Sequence, residues 1–339
     1  MGAIYLPAYL LSRFDPYLKS PNFRSSWNSK GFFKYPYLFT SYGLEGGTRD
    51  IRRQYSIDPD VVIFTDSGGF QILSKQYRID PEKVIEWENG NADIGMTLDV
   101  PPYDGPAKKN VLNWEDCMLQ TVQNTRIMND RKSGKLNLYG TIHGLTDNQR
   151  DEWKNAIDLV GDLDGYALGL GNDPESVIRM IRYVRDRKIE KPLHFFRLGA
   201  SLGFFLVSRY SLLYPSMITA DSSSFMIKMR GYTMLISPMD IGRTIQVGDK
   251  NVESVVNRLG CLCPVCSQTK HIDQREFREL GLSAFHDLYL LIWHYSILNS
   301  LAAERPEALR SIFGEGVKWI EALDKIIGIQ SGHGLEVYL

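Results

Sequence analysis

Six short apolar runs alternate with amphipathic stretches between residues 61 and 223, and this alternation limits the fold more than any other feature of the chain. The runs are VVIFTDS (61–67), DIGMTLDV (93–100), LNLYGTIHG (136–144), GYALGLG (165–171), LHFFRLGA (193–200) and SMITADSS (216–223). They are rich in β-branched and aromatic residues, lack polar alternation and end in Gly, Asp or Ser. Strands covered on both faces read this way, and such strands belong to parallel sheets flanked by helices. The stretches between them predict helices: PEKVIEWENG, NWEDCMLQTVQNTRIMNDRK, DNQRDEWKNAIDLVGD and PESVIRMIRYVRDRK. The last opens on Asn172, Asp173 and Pro174 and carries Val177, Met180, Ile181 and Val184 on one stripe. Six β-then-α units in 339 residues favour an α/β (β/α)8 TIM barrel over an open doubly wound sheet.

The flanks read differently. Around IYLPAYLL the chain is expected to supply a first barrel strand, whereas SPNFRSSWNSKGFFKYPYLFTSYGLEGG (20–47) reads mostly as loop. The pattern changes again after residue 225, to a short strand-like region, a cysteine cluster and long helices. The expected organisation is a barrel core over 1–240, with a zinc-binding subdomain and C-terminal helices over 241–339 that pack on it and complete it.

Charge and composition exclude several classes. Lys plus Arg number 39 against 40 Asp plus Glu, for a net charge of −1, so bulk positive charge does not drive nucleic-acid binding. At 43% hydrophobic and 23% charged, the chain is neither disordered nor collagen-like. Its start, MGAIYLPAYLLSRFDP, lacks the basic segment and long apolar run of a signal peptide, and Leu6 breaks the myristoylation pattern. The most apolar helical stretch, Leu288 to Leu298, falls short of the roughly 20 residues that span a bilayer. A cytoplasmic enzyme without membrane partners is expected.

Barrel enzymes place their chemistry where the strands end. Those ends carry Asp66, Asp99, His143, Gly169 to Gly171, Gly199 and Asp221. Buried acids are costly unless paired or used, and a pair of carboxylates about a sugar carbon is what glycosidic exchange requires. Helix N-capping would account for any one of these acids, but not readily for all three. Asp66 opens DSGGFQ, whose two glycines permit close approach to a ligand. In the same string Phe70 offers a stacking face, and Gln71 can both donate and accept hydrogen bonds. Lys228 and Arg230, just past Asp221, could track a phosphate backbone.

Cys261, Cys263 and Cys266 follow C-x-C-x-x-C, a zinc knuckle in a reducing compartment. Three thiolates leave one tetrahedral position, which a histidine commonly fills. His294, on the apolar helix LYLLIWHYSIL, is the expected fourth ligand, with His286 and His271 as rivals. A site filled by four protein ligands is structural. Cys117 reads as plain helix core.

Together, DSGGFQ (66–71), LDVPPY (98–103), GYALG (165–169) and the cysteine knuckle with its downstream histidine resemble the tRNA-guanine transglycosylase superfamily over roughly residues 60 to 300. These enzymes exchange guanine in a polynucleotide for a 7-deazaguanine such as preQ0 or preQ1. The resemblance implies a zinc-containing (β/α)8 barrel in which Asp221 is the nucleophile and Asp66 the general acid/base. It also implies that Asp99 reads the base edge, that Phe70 stacks on the base, and that Gly169 meets the base carbonyl through its backbone.

The chain departs from the family pattern at His143-Gly144-Leu145, where Gln-Gly-Gly is usual, and at Gly169-Leu170-Gly171. DSSSFMIKMR replaces the proline- and arginine-containing anticodon-reading stretch of the bacterial tRNA enzymes, and no RNA-binding domain is expected beyond the barrel. These departures favour the DNA-acting branch over tRNA as substrate. A homodimer is the expectation by analogy. Two other classes compete: a non-catalytic nucleic-acid-binding partner subunit, and a hydrolase of carbohydrate or nucleoside that uses the same two-carboxylate logic.

Overall fold

The structure, a computed structural model, describes residues 2–8, 11, 26–69, 79–102, 113–169, 173–223, 233–246, 261–269 and 281–329. Eight parallel strands form one sheet in the order β1-β8-β7-β6-β5-β4-β3-β2. They are β1 (Ile4–Pro7), β2 (Tyr37–Ser41), β3 (Val62–Asp66), β4 (Ile94–Met96), β5 (Asn137–Ile142), β6 (Gly165–Leu168), β7 (Leu193–Phe195) and β8 (Ile218–Ser222). A parallel bridge between Ala8 and Phe39 brings the two outer strands together and nearly closes the ring. The fold is a (β/α)8 barrel.

Helices separate the strands from β3 onward: α1 (Pro81–Asn91), α2 (Trp114–Arg131), α3 (Asp147–Asp158), α4 (Pro174–Asp186) and α5 (Ser201–Ser211). In α4, the Asp173 carboxylate accepts from the Ser176 amide at 2.8 Å, and Pro174 occupies the first turn, where no amide donor is needed. Val177, Met180, Ile181 and Val184 are all buried, as their spacing predicts. Each such side chain stabilises the packed helix by roughly 1.5–3 kcal/mol, so burial of this stripe, more than helix propensity, holds it in place.

Inside the ring, Leu6, Phe39, Phe64, Ile94, Met96, Tyr139 and Ala167 form one apolar cluster drawn from the first six strands. This filled floor leaves the chemistry to the C-terminal rim.

The segment read as loop over 20–47 contains β2 and a short helix, Tyr42–Glu45. β2 is only five residues long and lies between Pro36 and Gly43, so local punctuation hides it. Trp27, fully buried, donates from Nε1 to the Tyr37 carbonyl at 2.8 Å and ties the incoming chain to that strand. Cys117 is buried within α2, as expected.

Past β8, strands β9 (Thr233–Ser237) and β10 (Asp240–Gln246) pair antiparallel as a separate ribbon. Helix α6 (Pro264–Gln268) carries the end of the cysteine knuckle, and α7 (Leu282–Ser300) packs against α5, β9 and β1. Helix α8 (Val317–Ile327) returns to α4 and α5. There the buried Arg209 guanidinium binds both Asp324 oxygens, at 2.6 and 2.9 Å, and also donates to the Ala302 and Glu304 carbonyls at 2.7 Å. Among the described residues these partners all come from the C-terminal segment, which fixes α8 to the barrel wall. No helix among the described residues is long and apolar enough to cross a membrane.

Candidate active site and metal centre

Three acids converge on the C-terminal rim. Asp66 is the last residue of β3, Asp221 lies in β8 opposite Leu6 of β1, and Asp99 stands just past β4. Asp66 accepts hydrogen bonds from the Ser41 hydroxyl at 3.3 Å and from the Gly68 amide. Burial pushes its carboxyl up to about 7, and the negative charges of Asp99 and, less strongly, Asp221 add to the rise. A carboxyl that titrates near neutrality can both give and take a proton.

This shift has a stability consequence. The unfolded chain releases the Asp66 proton near pH 4, whereas the folded chain holds it to about pH 7, so folding loses about 1.4 kcal/mol per pH unit between those values. Asp66→Asn removes that loss. Thermal melts should therefore show the variant gaining on the parent as pH rises from 4 to 7, with the gap levelling off above that. A gap that does not change with pH would mean that Asp66 titrates normally.

Asp99 is held by the loop it sits in. The Val100 amide donates to Thr121 Oγ1 at 2.9 Å, and Asn124 Nδ2 donates to the Leu98 carbonyl at 3.1 Å, both from one face of α2. His143 Nε2 lies 2.7 Å from Asp99 Oδ2, and its ring meets Trp153 edge-on. Gly69 lies directly over Asp99: a Cβ there would fall 2.2 Å from Asp99 Oδ1 and 2.4 Å from its carbonyl oxygen. Only glycine fits, so the second glycine of DSGGFQ is required by this packing. Gly144 follows His143, Gly169 lies just past β6 beside the His143 ring, and Gly199 lies after β7 beside Ser222.

Asp221 Oδ1 accepts from the Arg197 amide at 2.7 Å. Arg197 has φ of +60°, an uncommon conformation for a bulky residue, and one of the kind that concentrates at functional sites. His194, which the sequence did not single out, points its Nε2 at Asp221 Oδ1 from 3.3 Å. The signal was there to see: it is a histidine flanked on both sides by apolar strand residues, in LHFF. Glu88 was also missed. It is fully buried on α1, where Thr65 Oγ1 donates to its Oε1 at 3.0 Å, and burial raises its carboxyl well above the usual range. Phe70, Gln71, Leu170, Lys228 and Arg230 lie outside the described residues.

The metal centre corrects one expectation. Cys261, Cys263, Cys266 and His286 bring their ligand atoms within 4.8 Å of one another and can hold a metal ion. His286 Nδ1 lies 3.7, 3.2 and 3.3 Å from the three sulfurs in chain order. Its Nε2 donates to the Leu235 carbonyl at 3.0 Å, so the neutral ring would present its Nδ1 lone pair to the three sulfurs, as a metal ligand must. Asp287 accepts from the Leu235 amide at 2.7 Å, so the first turns of α7 grip β9 from both sides.

His294, the expected fourth ligand, is committed elsewhere. Its Nδ1 donates to the Pro238 carbonyl at 2.6 Å, and its Nε2 lies 2.9 Å from Ser201 Oγ. Eight residues along a helix amount to about 12 Å, which places it too far from the cysteines.

No protein-family model matches this chain, and a search of curated proteins finds no significant match.

Proposed function

We propose that this protein is a guanine transglycosylase that exchanges guanine in a polynucleotide, DNA in preference to tRNA, for a 7-deazaguanine base. The observation that carries the proposal is the grouping of Asp66, Asp99 and Asp221 on one barrel rim, in environments that set them apart. Asp66 is poised near neutrality, Asp99 is clamped by His143 at 2.7 Å, and Asp221 is aimed by the Arg197 amide. Distinct surroundings for neighbouring carboxyls are how one site divides acid, base and nucleophile roles.

The proposed exchange is a double displacement. Asp221 attacks the sugar C1′, the bond from C1′ to the base breaks, and its electron pair leaves with the base, which takes a proton from Asp66. A glycosyl ester on Asp221 remains. The incoming deazaguanine gives its N9 proton to the Asp66 carboxylate and attacks C1′, and the ester bond breaks to restore the Asp221 carboxylate. Asp99 and its His143 partner meet the polar edge of the base, with Gly69 packed over Asp99 to hold that carboxylate in place. In duplex DNA the target base must leave the stack before it can reach this rim.

The metal is proposed to be zinc. Three thiolates and one imidazole suit its tetrahedral preference, in which a sulfur-to-nitrogen edge is about 3.6 Å. The 3.2–3.7 Å spacings fit that edge. With all four positions filled by the chain, the ion would brace β9 and α7 without taking part in the exchange. The protein is proposed to act in the cytoplasm as a homodimer.

The test is incubation of the purified protein with radiolabelled guanine and with single-stranded DNA, double-stranded DNA or tRNA. Label in DNA is expected. Label in tRNA alone would keep the chemistry and reverse the choice of polymer. No label in any polymer, from folded and metallated protein, would overturn the proposal.

A further inference from the structure

His194 has no place in the steps above, yet it is confined beside Asp221. It is fully buried in the middle of β7. Its ring stacks on Phe39, with centroids 5.1 Å apart and planes 20° apart, and Phe196 meets it edge-on at 4.7 Å. Two aromatic neighbours thus fix the plane of the imidazole. Nδ1 lies 2.9 Å from the Thr219 hydroxyl, two residues before Asp221 in β8. Nε2 faces Asp221 Oδ1 at 3.3 Å and has no hydrogen-bond partner among the described residues.

The surroundings choose the tautomer. The Thr219 hydroxyl has one proton and two acceptors in reach: His194 Nδ1 at 2.9 Å and the Leu193 carbonyl at 3.3 Å. Were that proton given to Leu193, neutral His194 would carry its own on Nδ1. A bare Nε2 lone pair would then face a carboxylate in a buried site, with nothing to offset the repulsion. With the proton given to Nδ1, the shorter contact, the ring proton sits on Nε2 and points at Asp221. That arrangement turns an N–H, in place of a lone pair, toward the Asp221 carboxylate. A contact that is close but poorly aligned before substrate binds can tighten during the reaction.

From this geometry we infer that His194 is a positioning residue for Asp221, an inference that rests on Asp221 being the nucleophile. Its Nε2–H and the Arg197 amide together hold Oδ1, which leaves Oδ2 to attack the sugar. The two halves of the reaction feel this donor differently. As the ester forms, the carboxylate loses charge and Oδ1 becomes a carbonyl oxygen, so the bond from His194 weakens. As the incoming base attacks C1′, the C1′–Oδ2 bond breaks with its electron pair on oxygen. Charge then returns to the carboxylate, and the bond from His194 strengthens. His194 therefore favours breakdown of the ester over its formation.

The test has two parts. Nitrogen-15 NMR of the histidine-labelled full-length protein, with the His194 signal assigned by its loss in His194→Phe, should show the proton on Nε2. The Nε2 resonance should also move in Asp221→Asn. Rapid quenching during exchange, with the polymer the wild type accepts, should show His194→Phe turning over at least about tenfold more slowly while a larger fraction of enzyme is held as ester. His194→Gln, which keeps an N–H donor, should recover much of the rate and serves as the probe if the phenylalanine variant fails to fold. A proton on Nδ1, or slowed turnover without ester accumulation, would overturn the inference. If the wild type exchanges no base at all, the functional reading fails, and the NMR result still decides whether His194 donates to Asp221.

Discussion

Asp221→Asn is expected to lose guanine exchange by at least about 10³-fold while keeping its fold, because the amide cannot form the glycosyl ester. The substitution is nearly isosteric, and the amide oxygen can still accept from Arg197, whose N–H now meets Asp221 Oδ1 at 2.7 Å. Loss of rate with an unchanged far-ultraviolet spectrum and melting behaviour would therefore report chemistry. Exchange by the variant within about tenfold of the parent would remove Asp221 from the nucleophile role. The same constellation would then have to be explained with Asp66 or Asp99 in that position.

His286→Ala should strip the metal, and His294→Ala should leave it in place. Elemental analysis of the purified variants is expected to find about one zinc per chain in the parent and in His294→Ala, and much less in His286→Ala. The melting temperature should follow the metal, since metal binding to a site of this kind contributes directly to folding. Metal in this centre would hold together the knuckle, the first turns of α7 and β9, which His286 and Asp287 already join through Leu235. Metal retained by His286→Ala and lost by His294→Ala would contradict the assignment made from the geometry.

The two histidines show where sequence reasoning reaches its limit. Cysteine spacing alone locates a knuckle, because C-x-C-x-x-C is a local pattern with a local physical cause. The fourth ligand comes from another element, and choosing it requires the rotation and rise of α7 relative to the knuckle, which spacing does not contain. The apolar setting of His294 made it look committed to a metal, yet that burial is satisfied by Pro238 and Ser201.

The strands tell a similar story. Runs such as VVIFTDS and SMITADSS announce β3 and β8 because both faces of each are covered. Helix α5 went unread because Gly203 through Ser211 are all buried, so no polar stripe marks its period. The acids at the strand ends were legible, since carboxylates are conspicuous in apolar runs. Their partners were not. His143 finds Asp99 and His194 finds Asp221 only through parallel pairing of neighbouring strands, whose register and separation in sequence carry no signal.

The most direct test of the account is the mass of the enzyme after acid quenching during exchange with a guanine-containing oligonucleotide. The account predicts a protein heavier by the oligonucleotide less one guanine, with the ester on the peptide that carries Asp221 and no such species in Asp221→Asn. An unmodified protein under conditions where labelled guanine enters the polymer, or an ester mapped to Asp66 or Asp99, would contradict it.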